Sequence, residues 1–497
     1  MEKRSHVKEL FSQTVIYGLG IILNKSVGFI LLPVYTKFFS PEQIGLFTLI
    51  QSLSLFFGVI YMFGMETSFM KFFIDAKDTR SKSEIYSVTL MTLSMTSLIF
   101  SIIIFFNAQN IAELFRFSEL KESIFLIKIL SVMMFVDSLS RFPLLLFRAE
   151  LRSRTYAVIN FLTFVVNVFC NVLFIVILRM GIEAIFYSYI ISVTVTFTAG
   201  LFITKKYLIP GFSTTKLKEL LKFGNKFIYI GFFVLLIDIS DRFFLKYFFD
   251  ESVVGIYSAN YRLASVMGFM IASFKFSWTP YFLNMSSNPD NKKIISTIFT
   301  YFVFAGLLLF LVLSVFISQA VKIRVFGFEF LNVSYWEGLS VVPIVLLAYF
   351  FSGVYSMLNA APFFTNKTIS ILIITFTGLA VNVMFNLILI PAYNITGAAM
   401  ATLLTYFCMF LIIYFYSQKI YRIKYDWGRI LKLVVLTLIT FLICYFLLRK
   451  FISDSVVIVA VQLILIGIYL LCIHTFKIID LKKITMLWSK NEKAVTE

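Results

Sequence analysis

FFSPEQIGLF, residues 38–47, returns further along the chain as FFDESVVGIY, residues 248–257, at an offset of 210. Each copy has a Phe-Phe pair, a polar turn, aliphatic residues, a glycine and an aliphatic-aromatic close. A second match, NVFCNVL at 167–173 against NVMFNLI at 382–388, recurs at an offset of 215. Two matches at nearly one offset indicate a duplicated unit. Gly45 and Gly255 are expected to serve a tight entry into the helix that follows each turn.

The size of the unit follows from what lies between the copies. Of 497 residues, 60% are hydrophobic and only 14% charged, whereas soluble domains are about 45–50% apolar and about 25% charged. Apolar windows of about 20 residues, the length a bilayer core demands, recur along the chain. The expected class is an all-α polytopic membrane protein of about 14 transmembrane helices. They are placed at 11–36, 44–70, 84–106, 123–147, 154–179, 181–204, 222–248, 253–283, 294–318, 336–361, 368–391, 396–417, 430–449 and 456–475.

Each copy then holds six helices. Six is even, so the copies share one orientation and are related by an axis along the membrane normal. The expected organisation is a six-helix lobe at 1–210, a second at 211–420, and a C-terminal helix pair with a tail at 421–497. The two lobes are pseudo-symmetric and face a central cavity.

The net charge of +18 is a topology signal. About 28 Lys and Arg fall in the loops of one side, with both termini, against about 8 on the other, which assigns the rich side to the cytoplasm. Attraction to anionic inner-leaflet lipids is a by-product. Nucleic-acid binding is not expected, because no loop can supply a folded basic reading face. The longest connections, 107–122 and 319–335, carry no inserted catalytic domain, and the chain lacks a GxxxxGK[ST] phosphate loop. Cys170, Cys408, Cys444 and Cys472 all lie in apolar runs without a CxxC spacing. His6 and His474 stand at opposite ends, so no metal site and no cofactor is expected.

What the hydrophobic pattern does not explain is the charge inside the spans. IDISDRFFLKYF, residues 237–248, carries two acids and two bases in an apolar run. Deep charges are Lys25 in the first helix, Asp137 and Arg141 in the fourth, Asp238, Asp241 and Arg242 in the seventh, and Arg262 and Lys275 in the eighth. Each costs about 2.5–3.5 kcal/mol to insert, so these groups are expected to face one another or water. Asp137–Arg141 and Asp238–Arg242 have the four-residue spacing, acid first, of intrahelical pairs, and Lys246 extends the second stripe by one turn. Salt bridges tying helices together are one use. The bases outnumber the acids, which favours a net cationic cavity and an anionic ligand.

Asn160, Thr163, Asn167 and Asn171 share one face of the fifth helix, and Thr375, Asn382 and Asn386 one face of the eleventh. They are expected to hydrogen-bond between helices, with contact to sugars as the alternative. Prolines 33, 143, 280, 343 and 362 mark expected kinks.

LLPVYTKFFSPEQIGLFTLI (31–50), DRFFLKYFFDESVVGIYSANYRLASVMGFM (241–270) and FSWTPYF (276–282) resemble the signatures of bacterial polysaccharide-type flippases, the Wzx-like O-antigen and capsule transporters of the multidrug/oligosaccharidyl-lipid/polysaccharide exporter superfamily. The resemblance implies transport of an undecaprenyl-diphosphate-linked oligosaccharide from the cytoplasmic to the periplasmic leaflet of the bacterial inner membrane. It implies that Lys25, Arg242, Arg262 and Lys275 bind the diphosphate, and Arg141, as another interior base, is a further candidate. Asp137, Asp238 and Asp241 are the candidates for coupling to H+ or Na+, and a polysaccharide polymerase and chain-length regulator are candidate partners. A peptidoglycan-precursor flippase and a multidrug cation antiporter share the fold class. The basic interior argues against the antiporter, and the short loops argue against a polymerase or ligase enzyme.

Overall fold

The computed structural model describes residues 18–479 apart from positions 19, 21, 226–227, 285–289, 326, 449–453 and 477. The N-terminal bases Lys3, Arg4 and Lys8, His6, the first turns expected from residue 11, and the basic tail beyond 479 lie outside the described residues. Side chains are likewise not described for Lys226 or for most of FSWTPYF, Pro280 included.

Fourteen long helices appear among the described residues. They are α1 (22–38, interrupted at Leu31), α2 (Pro41–Met62), α3 (Thr79–Phe106), α4 (Leu120–Ala149), α5 (Ser153–Asn171), α6 (Glu183–Thr204), α7 (Ile228–Phe248) and α8 (Glu251–Asn284). Then follow α9 (Asn291–Ala320), α10 (Val341–Leu358), α11 and α12 within Ile369–Ile420, α13 (Trp427–Leu442) and α14 (Ser455–Thr475). The α11–α12 run breaks at Asn394, whose φ is 52° and ψ −132°. Among the described residues, ten helices are long and apolar enough to cross a membrane, that run counted as one. The α7 helix itself carries Asp238, Asp241, Arg242 and Lys246 in 21 residues. The protein is an all-α polytopic membrane protein.

Local sequence explains the helix starts. SPEQ at 40–43 forms a capping box: the Ser40 hydroxyl accepts from the Gln43 amide, the Gln43 side chain accepts from the Ser40 amide, and Pro41 takes the first helical position. Asp78, Asp426 and Asp454 cap α3, α13 and α14, each carboxylate accepting from backbone amides of the first turn. Outside the membrane, hydrogen bonds from the Ser81 backbone and hydroxyl hold the Asp78 carboxyl below its ordinary range. Pro33 follows the interruption of α1, as expected from the sequence. Pro143 sits inside α4, where Gly200 of α6 lets the helices close: a β-carbon at Gly200 would lie 2.5 Å from the Pro143 ring.

The loops hold more structure than their composition suggested. A helix over Ala108–Leu114 fills the first long connection, and a two-stranded hairpin, Arg324–Val325 with Phe328–Glu329, fills the second. Residues 205–227 include an amphipathic helix, Thr214–Gly224, which docks on Met65–Asp75 beyond α2.

In the first half, α4 packs on α6 and α3, and α5 on α6. In the second, α10 and α7 pack on the α11–α12 run, and α8 on α10. Helix α13 packs on α9, and α14 lies against both. In lipid there is no hydrophobic force between helices, so close fit and polar glue hold them. The second sequence repeat supplies that glue twice. Asn167 donates to Ser192 of α6 and Asn171 to Asn167; correspondingly Asn382 donates to Thr405 of α12 and Asn386 to Asn382. Asn382→Leu should therefore loosen α7, α11 and α12, costing about 0.6–2 kcal/mol and lowering the thermal midpoint in detergent.

Candidate functional site

The face of α7 that raised the question of buried charge looks into the molecule, with a different pairing from the one its spacing suggested. Arg242 bonds the adjacent Asp241 (Nη1–Oδ1 3.0 Å), and Asp241 is almost wholly buried. Tyr257 of α8 donates to the other Asp241 oxygen at 2.6 Å, and the Arg242 guanidinium lies over the Tyr261 ring at 4.8 Å. The expected carboxylate pairing of Asp238 with Arg242 does not form. Stacking on Tyr261 draws the guanidinium toward α8, where Asp241 meets it. Tyr406 of α12 donates to Asp238 instead, at 2.7 Å. Although Asp238 lies mid-helix, it is exposed, so the interior is not packed shut at this level.

Lys246 also leaves the expected stripe. It pairs with Glu251 at 2.7 Å, both side chains nearly buried, and Glu251 accepts from the Ser118 amide and hydroxyl as well. This cluster joins the α3–α4 connection to the α7–α8 turn. Sequence inspection missed it because Glu251 is a helix-start residue whose Ser118 partner lies 133 positions away.

The second-half bases spread along α8. Lys275 reaches the Ser352 hydroxyl at 3.4 Å and lies within electrostatic reach of Asp238 and Lys25. Lys25 itself is exposed. The Arg262 guanidinium sits over Phe47 (5.4 Å) and Tyr35 (5.9 Å), and its Nη1 has no hydrogen-bond partner among the described residues. Lys25, Arg242, Arg262 and Lys275 against Asp238 and Asp241 leave a surplus of two positive charges.

In the first half the expected pair forms. Arg141 bonds Asp137 at 2.8 Å and approaches Glu66 at 3.9 Å, while Tyr189 donates to Asp137 at 2.7 Å. The Arg141, Asp137 and Glu66 cluster carries one net negative charge, so Arg141 adds nothing to the surplus around α7 and α8. Each of the three aspartates inside the spans thus has a tyrosine hydroxyl from another helix: Tyr189, Tyr406 and Tyr257. Asn160, Asn167, Asn171, Asn382 and Asn386 are all buried, with their amides used between and along helices. That is the interhelical use their spacing suggested. Among the described residues, no group of three His, Cys, Asp or Glu could hold a metal ion.

One end of the molecule closes over this interior. There Tyr335 donates to the Phe39 carbonyl at 2.8 Å, the Asn332 amide to Thr36 at 3.3 Å, and rings meet as Phe29–Phe330, Phe38–Phe328 and Phe115–Phe243. Toward the other end, α2 keeps contact with α7, for example through Phe56 and Phe232.

Solved structures share this arrangement of helices around a charged interior. The lipid II flippase MurJ in an inward closed conformation superposes with a TM-score of 0.75 at 14% identity, over 94% of this chain and 100% of that one. An inward-facing multidrug resistance MATE transporter of the MOP superfamily gives 0.63 at 14% identity, over 80% and 95%. The Vibrio cholerae MATE transporter VcmN gives 0.56 at 14% identity, over 84% and 98%. No curated protein sequence matches the chain. A family model described as polysaccharide biosynthesis protein matches residues 10–286, more than half of the sequence, and the chain belongs to that family. The fold is one that solved structures of a lipid II flippase and of multidrug transporters share.

Proposed function

We propose that this protein flips an undecaprenyl-diphosphate-linked oligosaccharide, an O-antigen or capsule repeat unit, from the cytoplasmic to the periplasmic leaflet by alternating access. The observation that carries the proposal is the surplus of two positive charges in an interior where Asp238 and Lys25 remain exposed. A diphosphate needs cations to cross a low-dielectric region, and Lys25, Arg242, Arg262 and Lys275 supply them without a metal. The glycan travels in the wet interior. The polyprenyl tail stays in lipid and passes through a lateral opening between the lobes.

In this reading the lobes are residues 1–210 and 211–420, and the closed end, poor in Lys and Arg, is periplasmic. The structure is then an inward-facing state. The test is flipping of a lipid-diphosphate oligosaccharide in proteoliposomes: uptake by the wild type supports the proposal, and none by folded protein removes it. Likeness to a lipid II flippase favours the peptidoglycan precursor as a second substrate with the same diphosphate. Rescue of a strain depleted of its lipid II flippase separates the two.

Coupling to H+ or Na+ belongs to the same proposal. Asp238 is its first candidate, because it is exposed and holds only one carboxylate oxygen to Tyr406. Asp238→Asn should make flipping indifferent to an imposed proton or sodium gradient while the wild type responds. A wild type already indifferent to both gradients eliminates coupling.

A further inference from the structure

The repeat that opens the sequence meets itself in space. Shifting residues 41–52 by 210 places Pro41 on Glu251, Gly45 on Gly255, Thr48 on Ser258 and Ser52 on Arg262. These stretches begin α2 and α8, which pack face to face. A β-carbon at Gly45 would lie 1.7 Å from the Glu251 carbonyl oxygen, and one at Gly255 would lie 1.8 Å from the Pro41 carbonyl oxygen. Each copy's first carbonyl rests on the other copy's glycine. That reciprocity is the mark of a two-fold contact. Neither glycine has a positive φ, so the need is for close approach and not for a turn.

The same crossing is poorly satisfied. Thr48 Oγ1, Ser258 Oγ and Arg262 Nη1 are buried without a hydrogen-bond partner among the described residues. Buried polar groups normally find partners, and each one that does not weighs against the packing that buries it. Around the crossing, the Ser118–Glu251–Lys246 cluster and the Tyr335–Phe39 bond hold the same end shut.

We propose that the α2–α8 crossing is the outer gate of the transport cycle: the reciprocal Gly45 and Gly255 notches let it seal, and the unsatisfied Thr48, Ser258 and Arg262 groups keep the seal easy to break. The inference rests on the alternating-access reading. Two classes of variant should move the gate in opposite directions. Gly45→Ala and Gly255→Ala wedge it open. Thr48→Val with Ser258→Ala removes unsatisfied hydroxyls at nearly constant shape and favours closure.

The experiment is a distance measurement between nitroxide labels at positions 119 and 337, both exposed at the closed end, in substrate-free protein in nanodiscs with the native cysteines replaced. The glycine variants should raise the open-to-closed ratio roughly tenfold, and the hydroxyl pair should lower it by a similar factor. Unchanged distributions in folded variants, or movement of both classes in one direction, overturn the gate. Should the glycine variants fail to fold, the Thr48→Val/Ser258→Ala pair decides alone, since it removes polar atoms without adding bulk. No substrate is present, so the result stands apart from flipping: a gate that responds in a protein that flips nothing sinks the proposed substrate and leaves the gate.

Discussion

Lys25→Ala should reduce flipping of a lipid-diphosphate oligosaccharide by roughly 10- to 150-fold while the protein stays folded, because a charge-assisted hydrogen bond is worth about 1.5–3 kcal/mol. The expectation of normal folding comes from its surroundings. Lys25 is exposed and makes no ion pair among the described residues. Its removal strands no carboxylate, unlike removal of Arg242, which would leave Asp241 buried and unpaired. The flipping loss therefore reports on the ligand and not on the scaffold. Lys25→Arg should restore much of the rate, because the charge returns. Equal flipping by Lys25→Ala and wild type, in protein of matched thermal midpoint, would remove Lys25 from the diphosphate site.

Legibility in the sequence followed the range of the interactions. Helix positions were readable because length and apolarity are local properties, and the capping box at Ser40 is written in four consecutive residues. The break near Asn394 was also readable, as two expected helices that run on from one another across one distorted residue. Asp137–Arg141 was readable because both partners share one helix. Asp238–Arg242 was not, though its spacing is the same. Tyr406 comes from α12 and Tyr261 from α8, and these distant groups divided the pair. Lys246 found Glu251 across the next turn for a similar reason: its long stem reaches the helix start, where Ser118 completes the site.

Gly45 and Gly255 show the same limit from the other side. The repeat identified both residues as structural, yet a turn and a helix crossing demand glycine for different reasons. Conformational freedom is a property of one residue, whereas close approach is a property of two segments. Only the fold could say that each glycine's partner was the other copy of its own motif. The Asn stripes fall between these cases. Their burial was implied by apolar neighbours, and the partner hydroxyls of Ser192 and Thr405 came with the packing.

Asp241→Ala should be the most destabilising single change in the charged interior. Asp241 is almost entirely buried and takes hydrogen bonds from Arg242, from the Arg242 backbone amide and from Tyr257. Removing it leaves a guanidinium and a phenol without their acceptor, and breaking one partner of a buried pair costs about 3–5 kcal/mol. The neutral double variant Asp241→Leu/Arg242→Met removes both charges and should recover most of that loss, because a buried ion pair repays little more than its own desolvation. Thermal unfolding in detergent reads both. If Asp241→Ala unfolds like the wild type, the pair is hydrated and the interior wetter than its burial indicates. If the double variant is stable but flips nothing, Arg242 serves the ligand and Asp241 serves Arg242, which is the division of labour that the α7 face was expected to reveal.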